Sequence, residues 1–504
     1  MSRGSIKHQR RVPNRPLPGF GNRVRSTVYR WSPQHKSDGR RGCWLRGDWT
    51  VASEEKLTVA GLNILSPKRN KRLQSGWEGF FPYYAGYPEL FARELLRSAQ
   101  LPDDAVVLDP WNGSGTTTYA ANQLGLNSIG IDLNPVMIIV ARARLLAPSE
   151  ADHLRPLAAN IMWHAHASPT TLADDDALLD WYNPATARFI RGIEQNIRRS
   201  LLGSMTRSPD GINLDRISGT AATMYVALFA ACRRLAAPFR SSNPTWLRMP
   251  KSDADRIDAP QTLIARYFAD NVGGLSDALV AQQDDLLRNG RRQPSQSEIA
   301  LSNTTTMDFA AHSIDFVLTS PPYCTRIDYT AATRIELAVL SPLLKTTARS
   351  LGKQMIGSTQ VPNDRIQVDP AWGATCVNFL EALKKHPSKA SSGYYYRTHL
   401  DYFDKMSRSL ARVSRALKPG ARAIFVVQDS HYKELHNDLP TIITELCDSH
   451  GLRFEGRQNF RFRSMSDINP GRKSYQRPAG ATETVLCFAK DVASALGPRF
   501  ADRR

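Results

Sequence analysis

Two short segments combine residue types that could bind and use a reactive ligand. The first, residues 109–117 (DPWNGSGTT), follows an apolar run and carries glycines that permit a tight turn and a close backbone approach. The second, residues 319–323 (TSPPY), also follows an apolar run. Backbone amides, hydroxyls, carbonyls and aromatic rings are therefore available at the ends of two predicted strands.

The spacing of the first turn limits the ligand. The turn matches neither the GxxxxGK[ST] nor the GxGxxG pattern, and it contains no lysine that could bind phosphates. A GxG turn behind an acid-ended strand suits a ligand without pyrophosphate, such as S-adenosylmethionine. About 17 residues after Gly115, Asp132 ends the next predicted strand, where its carboxylate can accept hydrogen bonds from both ribose hydroxyls. The alternative role for Asp132 is to cap the following helix, but the pairing with the glycine turn favours ribose binding.

The second turn offers acceptors for an amino group. Pro321 and Pro322 fix the backbone and remove two N–H donors. The Ser320 hydroxyl and the Pro321 carbonyl can then both accept hydrogens from one exocyclic amine, and Tyr323 offers a flat face for stacking a base. Taken alone, the segment could equally be a proline-rich turn with a buried tyrosine. The presence of the first motif in the same chain favours the catalytic interpretation.

The elements around both turns predict an α/β fold. A helix from about Pro88 to Gln100 is followed by strand, turn, helix, strand and helix up to residue 150, an order that requires a parallel sheet with right-handed crossovers. Residues 151–295 instead show helical periodicity joined by polar loops. The α/β pattern resumes at residue 296.

The predicted organisation has five parts. They are a basic, partly disordered arm (1–73), the first part of an α/β domain (74–150), a helical insertion (151–295), the second part of the domain (296–492) with a sub-insertion at about 340–390, and a tail (493–504).

Charge and composition narrow the class of protein. The chain holds 66 Lys+Arg against 47 Asp+Glu, a net charge of +19, and the arm alone has 17 against 4. Such an excess favours either a polyanionic partner or mere solubility. No apolar run long enough to span a membrane and no secretory signal is present. Six scattered cysteines without a CxxC pair predict free thiols in a reducing cytoplasm and no metal site.

The two motifs together resemble the amino-methyltransferase family of DNA methyltransferases found in bacterial restriction–modification systems. The resemblance covers roughly residues 80–150 and 295–490. It implies a Rossmann-like S-adenosylmethionine-dependent methyltransferase fold, a mostly parallel seven-stranded sheet with helices on both faces, interrupted by a largely helical insertion. It further implies double-stranded DNA as substrate, a cognate restriction endonuclease as possible companion, and a bacterial, cytoplasmic, nucleoid-associated enzyme.

The same resemblance assigns the site. The implied catalytic residues are Ser320, Pro321, Pro322 and Tyr323, and the TSPPY form is associated with the 4-amino group of cytosine. The implied cofactor-binding residues are Tyr84, Gly86, Tyr87, Asp109, Trp111, Gly113, Ser114, Gly115, Thr116, Asp132 and Asn303. Trp111 departs from the usual phenylalanine, and Asn303 stands where relatives often carry an aspartate that reads adenine.

Several alternatives stay open at this point. Adenine 6-amino methylation is the nearest rival. RNA methylation is less favoured because no RNA-binding module is evident, and protein-glutamine methylation because serine replaces asparagine in the second turn and the chain is strongly basic. A DNA-binding regulator with a degenerate methyltransferase fold is the rival from a different class. The helical insertion is either a target-recognition region or an accessory scaffold.

Overall fold

The strands and helices form one α/β assembly, seen in a computed structural model. The structure describes residues 57–68, 81, 86–167, 170–203, 207–208, 211–240, 247–289, 295–324, 328–361, 366–462 and 480–492. The strands are β1 (Leu57–Val59), β2 (Leu62–Ile64), β3 (Val106–Asp109), β4 (Asn127–Asp132), β5 (Arg207–Ser208), β6 (Gly211–Ile212), β7 (Ser297–Leu301), β8 (Ile314–Thr319), β9 (Leu417–Gln428), β10 (Ser430–Tyr432), β11 (Leu435–Asn437), β12 (Leu452–Phe462) and β13 (Ala481–Lys490). The α-helices are α1 (Glu89–Ser98), α2 (Thr116–Gln123), α3 (Pro135–Arg144), α4 (Ala151–Ala167), α5 (Pro184–Leu201), α6 (Gly219–Leu235), α7 (Gln261–Asn289), α8 (Tyr329–Ala332), α9 (Arg334–Leu340), α10 (Ala348–Gln354), α11 (Ala374–Lys385), α12 (Tyr396–Ala416) and α13 (Leu439–Ser449).

A seven-stranded sheet organises the described residues, in the order β12-β13-β9-β8-β3-β4-β7. The five strands from β9 to β7 run parallel, and β13 is antiparallel to both of its neighbours. The predicted Rossmann-like methyltransferase fold, with its mostly parallel sheet, is confirmed. Because parallel strands end at the same rim, β3, β4, β7 and β8 deliver their following loops to one edge of the sheet.

Helices cover both faces because side chains alternate along each buried strand. Leu108 and Val317 face the helices α11–α13, whereas Val107 and Phe316 face α1, α2 and the β1–β2 hairpin. The rim that holds the two turns is thereby fixed from both sides of the sheet.

The predicted basic arm is wrong at its C-terminal end. Residues 57–64 form the antiparallel β1–β2 hairpin, and Leu62 and Ile64 are fully buried against α1 and the sheet. Two apolar residues that alternate with polar ones were sufficient to anchor this segment, although charged residues surround it in the sequence. The rest of the arm lies outside the described residues.

The predicted helical insertion contains α4 to α7 and the short β5–β6 pair. Its attachment to the segment after the second turn is polar and buried. The Arg191 guanidinium pairs with Asp176 at 2.8 Å and donates to the Val339 carbonyl at 2.7 Å. Arg233 pairs with Glu336 and donates to the Ala332 carbonyl. The insertion therefore braces α8 and α9.

Two further observations concern the described residues only. None of their helices is both long and apolar enough to cross a membrane. They also hold no group of three or more His, Cys, Asp or Glu side chains placed to bind a metal ion.

Candidate active site

Both predicted turns open into one cleft at the carboxyl rim of the sheet. It encloses about 870 Å³ of empty space, counted out to its open mouth. Twelve of the predicted site residues line it, namely Gly86, Tyr87, Asp109, Trp111, Gly113, Ser114, Thr116, Asp132, Asn303, Ser320, Pro321 and Pro322. Gly115 and Tyr323 do not line the cleft, and Tyr84 lies outside the described residues. The fold thus brings most of the two motifs together.

The glycine turn owes its shape to two positive φ angles, +49° at Gly113 and +80° at Gly115. Gly113 lines the cleft, but Gly115 has a different role from the predicted cofactor contact. A Cβ at Gly115 would lie 2.9 Å from the Ala141 Cβ, so this glycine allows α3 to pack against the start of α2.

Asp132 holds the glycine turn from the neighbouring strand. Its Oδ2 accepts the Gly113 N–H at 2.9 Å, and its Oδ1 accepts the Asn134 N–H at 2.8 Å. The cap of α3 is Asn134, whose side chain accepts the Val136 N–H, so the helix-cap alternative for Asp132 is wrong. Burial raises the pKa of Asp132 to about 6. The Leu133 backbone N–H also hydrogen-bonds this carboxylate, which has about four acceptor sites in all and so can still accept a hydroxyl.

Asp109 joins the two turns. Its Oδ1 accepts the Thr319 hydroxyl at 2.6 Å, directly before Ser320 in the chain, and its Oδ2 accepts the Thr117 hydroxyl at 2.6 Å. Burial raises the pKa of Asp109 to about 6, and these hydrogen bonds oppose that rise. The Asp109 carboxylate therefore holds the two turns in place in addition to lining the cleft.

The second turn presents its acceptors in an ordered way. Ser320 donates its hydroxyl hydrogen to the Val426 carbonyl of β9 at 3.0 Å, and its side chain also hydrogen-bonds the Tyr323 phenol, so one oxygen lone pair remains for a further donor. The Pro322 carbonyl accepts the Tyr402 hydroxyl at 2.9 Å. Among the described residues, the Pro321 carbonyl has no such partner, so it is the acceptor of this turn that stays available.

Tyr323 is placed behind the turn. Its backbone N–H donates to the Tyr329 hydroxyl at 2.9 Å, and Tyr329 itself lines the cleft. Burial raises the pKa of the Tyr323 phenol, and the nearby carboxylate of Glu483 adds to the effect. Burial likewise raises the pKa of Glu483 to about 7. The ring of Tyr323 is therefore half-buried, with its hydroxyl near Glu483 on β13.

Asn303 lines the cleft, and the oxygen of its side-chain amide is already hydrogen-bonded. Its Oδ1 accepts both the N–H and the hydroxyl of Thr305, at 3.0 and 2.8 Å. Both acceptor sites of this amide oxygen are therefore used by Thr305. Its Nδ2 remains available, and such a donor suits a ring nitrogen of adenine.

Sequence reasoning missed several residues of the site. Thr319 and Thr117 lie inside the motifs, but only the fold shows that Asp109 connects them. Tyr329 follows the second turn closely, so proximity in sequence was a usable signal. The segment 354–356 and Glu483 reach the site from distant parts of the chain, and no local pattern marks them.

The cleft fits a cationic nucleoside ligand. Its lining includes the carboxylates of Asp109 and Asp132 and, among the described residues, no lysine, arginine or histidine. The Coulombic effect of Asp109 is one cause of the raised pKa of Asp132, so a sulfonium and an ammonium would relieve that repulsion. The Trp111 Nε1 donor is buried without a partner among the described residues, which also points to a polar ligand.

Known proteins resemble this chain in the same region. A family model described as DNA methylase matches residues 21–142, which include the glycine turn and Asp132. The Type II methyltransferase M.AvaI of Nostoc sp. is 22% identical over 418 residues, covering 78% of this chain and 82% of that protein. The Type II methyltransferase M.MjaII of Methanocaldococcus jannaschii is 30% identical over 144 residues, covering 27% of this chain and 24% of that protein.

Solved structures align only loosely. A SAM-dependent methyltransferase from Methanosarcina mazei covers 79% of this chain and 97% of its own, at 10% identity and a TM-score of 0.27. The fold assignment therefore rests on the strand order and direction of the sheet itself.

Proposed function

We propose that the chain is an S-adenosylmethionine-dependent member of the amino-methyltransferase family of DNA methyltransferases and that its target is the 4-amino group of cytosine in double-stranded DNA. The observation that carries this proposal is the state of Ser320. Its hydroxyl hydrogen bonds to the Val426 carbonyl, and the residue lines the cleft beside the cofactor turn. A neutral acceptor of this kind suits an amine that donates hydrogens.

The residues of the second turn would position the amine. When bound, S-adenosylmethionine supplies an electrophilic methyl group. Ser320 Oγ and the Pro321 carbonyl accept the two amino hydrogens and so direct the nitrogen lone pair towards the cofactor side of the cleft. The hydrogen bond from Tyr402 to Pro322 keeps the turn rigid during this step. Most of the rate enhancement then comes from positioning.

A base must leave the duplex to reach this cleft. We place the extruded cytosine beside Pro321 and Pro322, with Tyr323 directly behind them, where its backbone bond to the Tyr329 hydroxyl and its contact near Glu483 support the turn. Ser320 is a poor base, so the amine proton passes to water after transfer. The Type II relatives suggest a restriction–modification setting, with a cognate endonuclease as the expected companion.

The test replaces Ser320 by alanine and follows labelled methyl transfer to unmethylated DNA. We expect turnover to fall by about 100-fold or more, on the scale seen when a positioned hydrogen-bonding group is lost. Cofactor affinity, measured by calorimetry, should change little. Tyr323→Ala should behave in the same way.

The matched control is Ser313→Ala, which changes the same residue type at the opposite end of β8. The Ser313 hydroxyl donates to the Ala310 carbonyl, on the rim away from the cleft. Full activity of Ser320→Ala, or an equal loss in Ser313→Ala, would remove the basis of the proposal.

A further inference from the structure

A second groove opens beside the cleft, between α8–α10 and the start of α12. Its lining includes Arg334, Arg349, Lys353 and Arg397 and, among the residues that the structure describes, no aspartate or glutamate. We call these four residues the basic groove. Thr359, Gln360 and Tyr394 line the same groove and add polar groups between the cations.

The charges of the basic groove are not compensated within the described part of the chain. None of its four cations lies within 4.0 Å of a described carboxylate, whereas Arg191, Arg233 and Arg412 each form an ion pair. Arg349, Lys353 and Arg397 are exposed, and Arg334 is half-buried. Four converging cations without counter-charges create a local positive potential that attracts anions.

The basic groove shares a wall with the catalytic cleft. Lys353 directly precedes Gln354 and Met355, which line the cleft, and Thr330 in the groove follows Tyr329 in the cleft. A Cβ on Gly357 would lie 2.8 Å from the Tyr323 carbonyl, so this segment packs directly on the second turn. A ligand could occupy both cavities at once.

The wall between the cavities is also anchored. The Lys405 ammonium donates to the Lys353 carbonyl at 2.9 Å and pairs with Asp401 at 2.9 Å. The Tyr394 hydroxyl donates to the Thr359 carbonyl at 3.1 Å. These bonds fix the backbone that carries Lys353 while leaving its side chain exposed.

We propose that the basic groove binds the phosphodiester backbone of the DNA strand whose base enters the cleft. The proposal rests on the function proposed above. A nucleotide carries an uncharged base and an anionic phosphate, and the two cavities match this division. The cleft has carboxylates and no described cation, whereas the groove has cations and no described carboxylate. Arg349 and Lys353 of the sub-insertion thereby contact the DNA beside the target base.

The test removes two charges with Arg349→Gln and Lys353→Gln in the full-length chain. Affinity for a 30-base-pair duplex is measured by fluorescence anisotropy over a range of KCl concentrations. Each lost phosphate contact lowers the slope of log K against log salt by about 0.9, so the slope should fall by roughly 2. At 0.15 M salt the same relation gives a loss of affinity of roughly 30-fold. The KM for DNA should rise while kcat at saturating DNA is retained.

The control removes two charges from the opposite rim with Lys418→Gln and Arg453→Gln. Both side chains lie near the amino ends of β9 and β12. This variant should keep the salt slope of the unaltered protein. If the groove variant matches the control while the unaltered protein methylates DNA, the groove assignment falls and the proposed function stands.

Two other outcomes would also contradict either the proposed function or the role of the basic groove. If the unaltered protein neither binds nor methylates DNA, the proposed function itself fails. If the groove variant loses affinity for a single-stranded RNA of equal length but keeps its affinity for the duplex, the groove serves RNA and the proposal is overturned.

Discussion

The Thr319 hydroxyl donates to Asp109 Oδ1 at 2.6 Å, and this single bond joins the end of the catalytic strand to the start of the cofactor turn. Both residues are buried, at 0% and 4% exposure. Because Ser320 follows Thr319 directly, any movement of the cofactor turn is transmitted to the acceptor of the target amine. The two halves of the site are therefore positioned as one unit.

Thr319→Val should remove the hydrogen bond to Asp109 while keeping the shape of the side chain. The variant leaves a buried carboxylate oxygen with one acceptor bond fewer, which costs about 1–3 kcal/mol in the free energy of unfolding. We expect kcat to fall by more than cofactor affinity does. Thr319→Ser, which keeps the hydroxyl, should restore both quantities. Equal kcat in the valine variant and the unaltered protein would show that the bond does not position Ser320.

Cofactor affinity should depend on pH through Asp132. Burial raises its pKa to about 6, and the ribose hydroxyls need the ionised form as acceptor. Affinity should be constant between pH 7 and 8. Below pH 6 it should fall towards tenfold per pH unit, because a proton must first leave the carboxyl group. Calorimetric titration with S-adenosylmethionine measures this directly.

The Asp132→Asn variant shows whether the pH dependence comes from Asp132 or from Asp109. Burial also raises the pKa of Asp109 to about 6. The asparagine variant should bind more weakly at pH 7.5 and lose the fall below pH 6. A variant that keeps the same fall would assign the titration to Asp109 and contradict the role given to Asp132.

Glu483 should make the protein less stable as pH rises. Burial raises its pKa from 4.5 to about 7, so between these values the folded state binds more protons than the unfolded state. Stability must then decrease as pH increases through that window. Glu483→Gln, which stays neutral, should match the unaltered protein at pH 4 and exceed it by about 1–3 kcal/mol at pH 8. Urea unfolding at both pH values tests the sign, and a less stable variant at pH 8 would contradict it.

The insertion should depend on Arg191 for its attachment. Arg191→Met leaves the buried carboxylates of Asp176 and Glu194 without this partner and should cost about 3–5 kcal/mol. Arg188→Met, an exposed position on the same helix α5, should change stability by less than about 0.5 kcal/mol. The comparison uses urea unfolding, and equal stabilities would show that the network does not hold the insertion.

What the sequence predicted depended on whether the signal was local. Gly113, Asp132 and Ser320 were identifiable because each lies directly after a buried strand, and parallel strands end at one rim. Glu483 and Lys353 come from distant segments, so only packing brings them to the site. Gly115 was correctly singled out, but a motif could not distinguish a ligand contact from the close approach of α3.

The hairpin at residues 57–64 was missed for a related reason. Its two buried side chains, Leu62 and Ile64, are too few to stand out within a basic stretch. Their partners on α1 and the sheet lie more than 25 positions further along the chain. Burial of such short strands is decided by tertiary contacts, which composition does not report.

The most direct test is mass analysis of nucleosides from DNA incubated with the protein and S-adenosylmethionine carrying a deuterated methyl group. We expect a labelled methyl group on the 4-amino nitrogen of cytosine. The label should be present with the unaltered chain and with Ser313→Ala, and it should be lost with Ser320→Ala. Labelled 6-methyladenine would contradict the choice of base. Label on a ring carbon, or no label in DNA, would contradict amino methylation by the two turns.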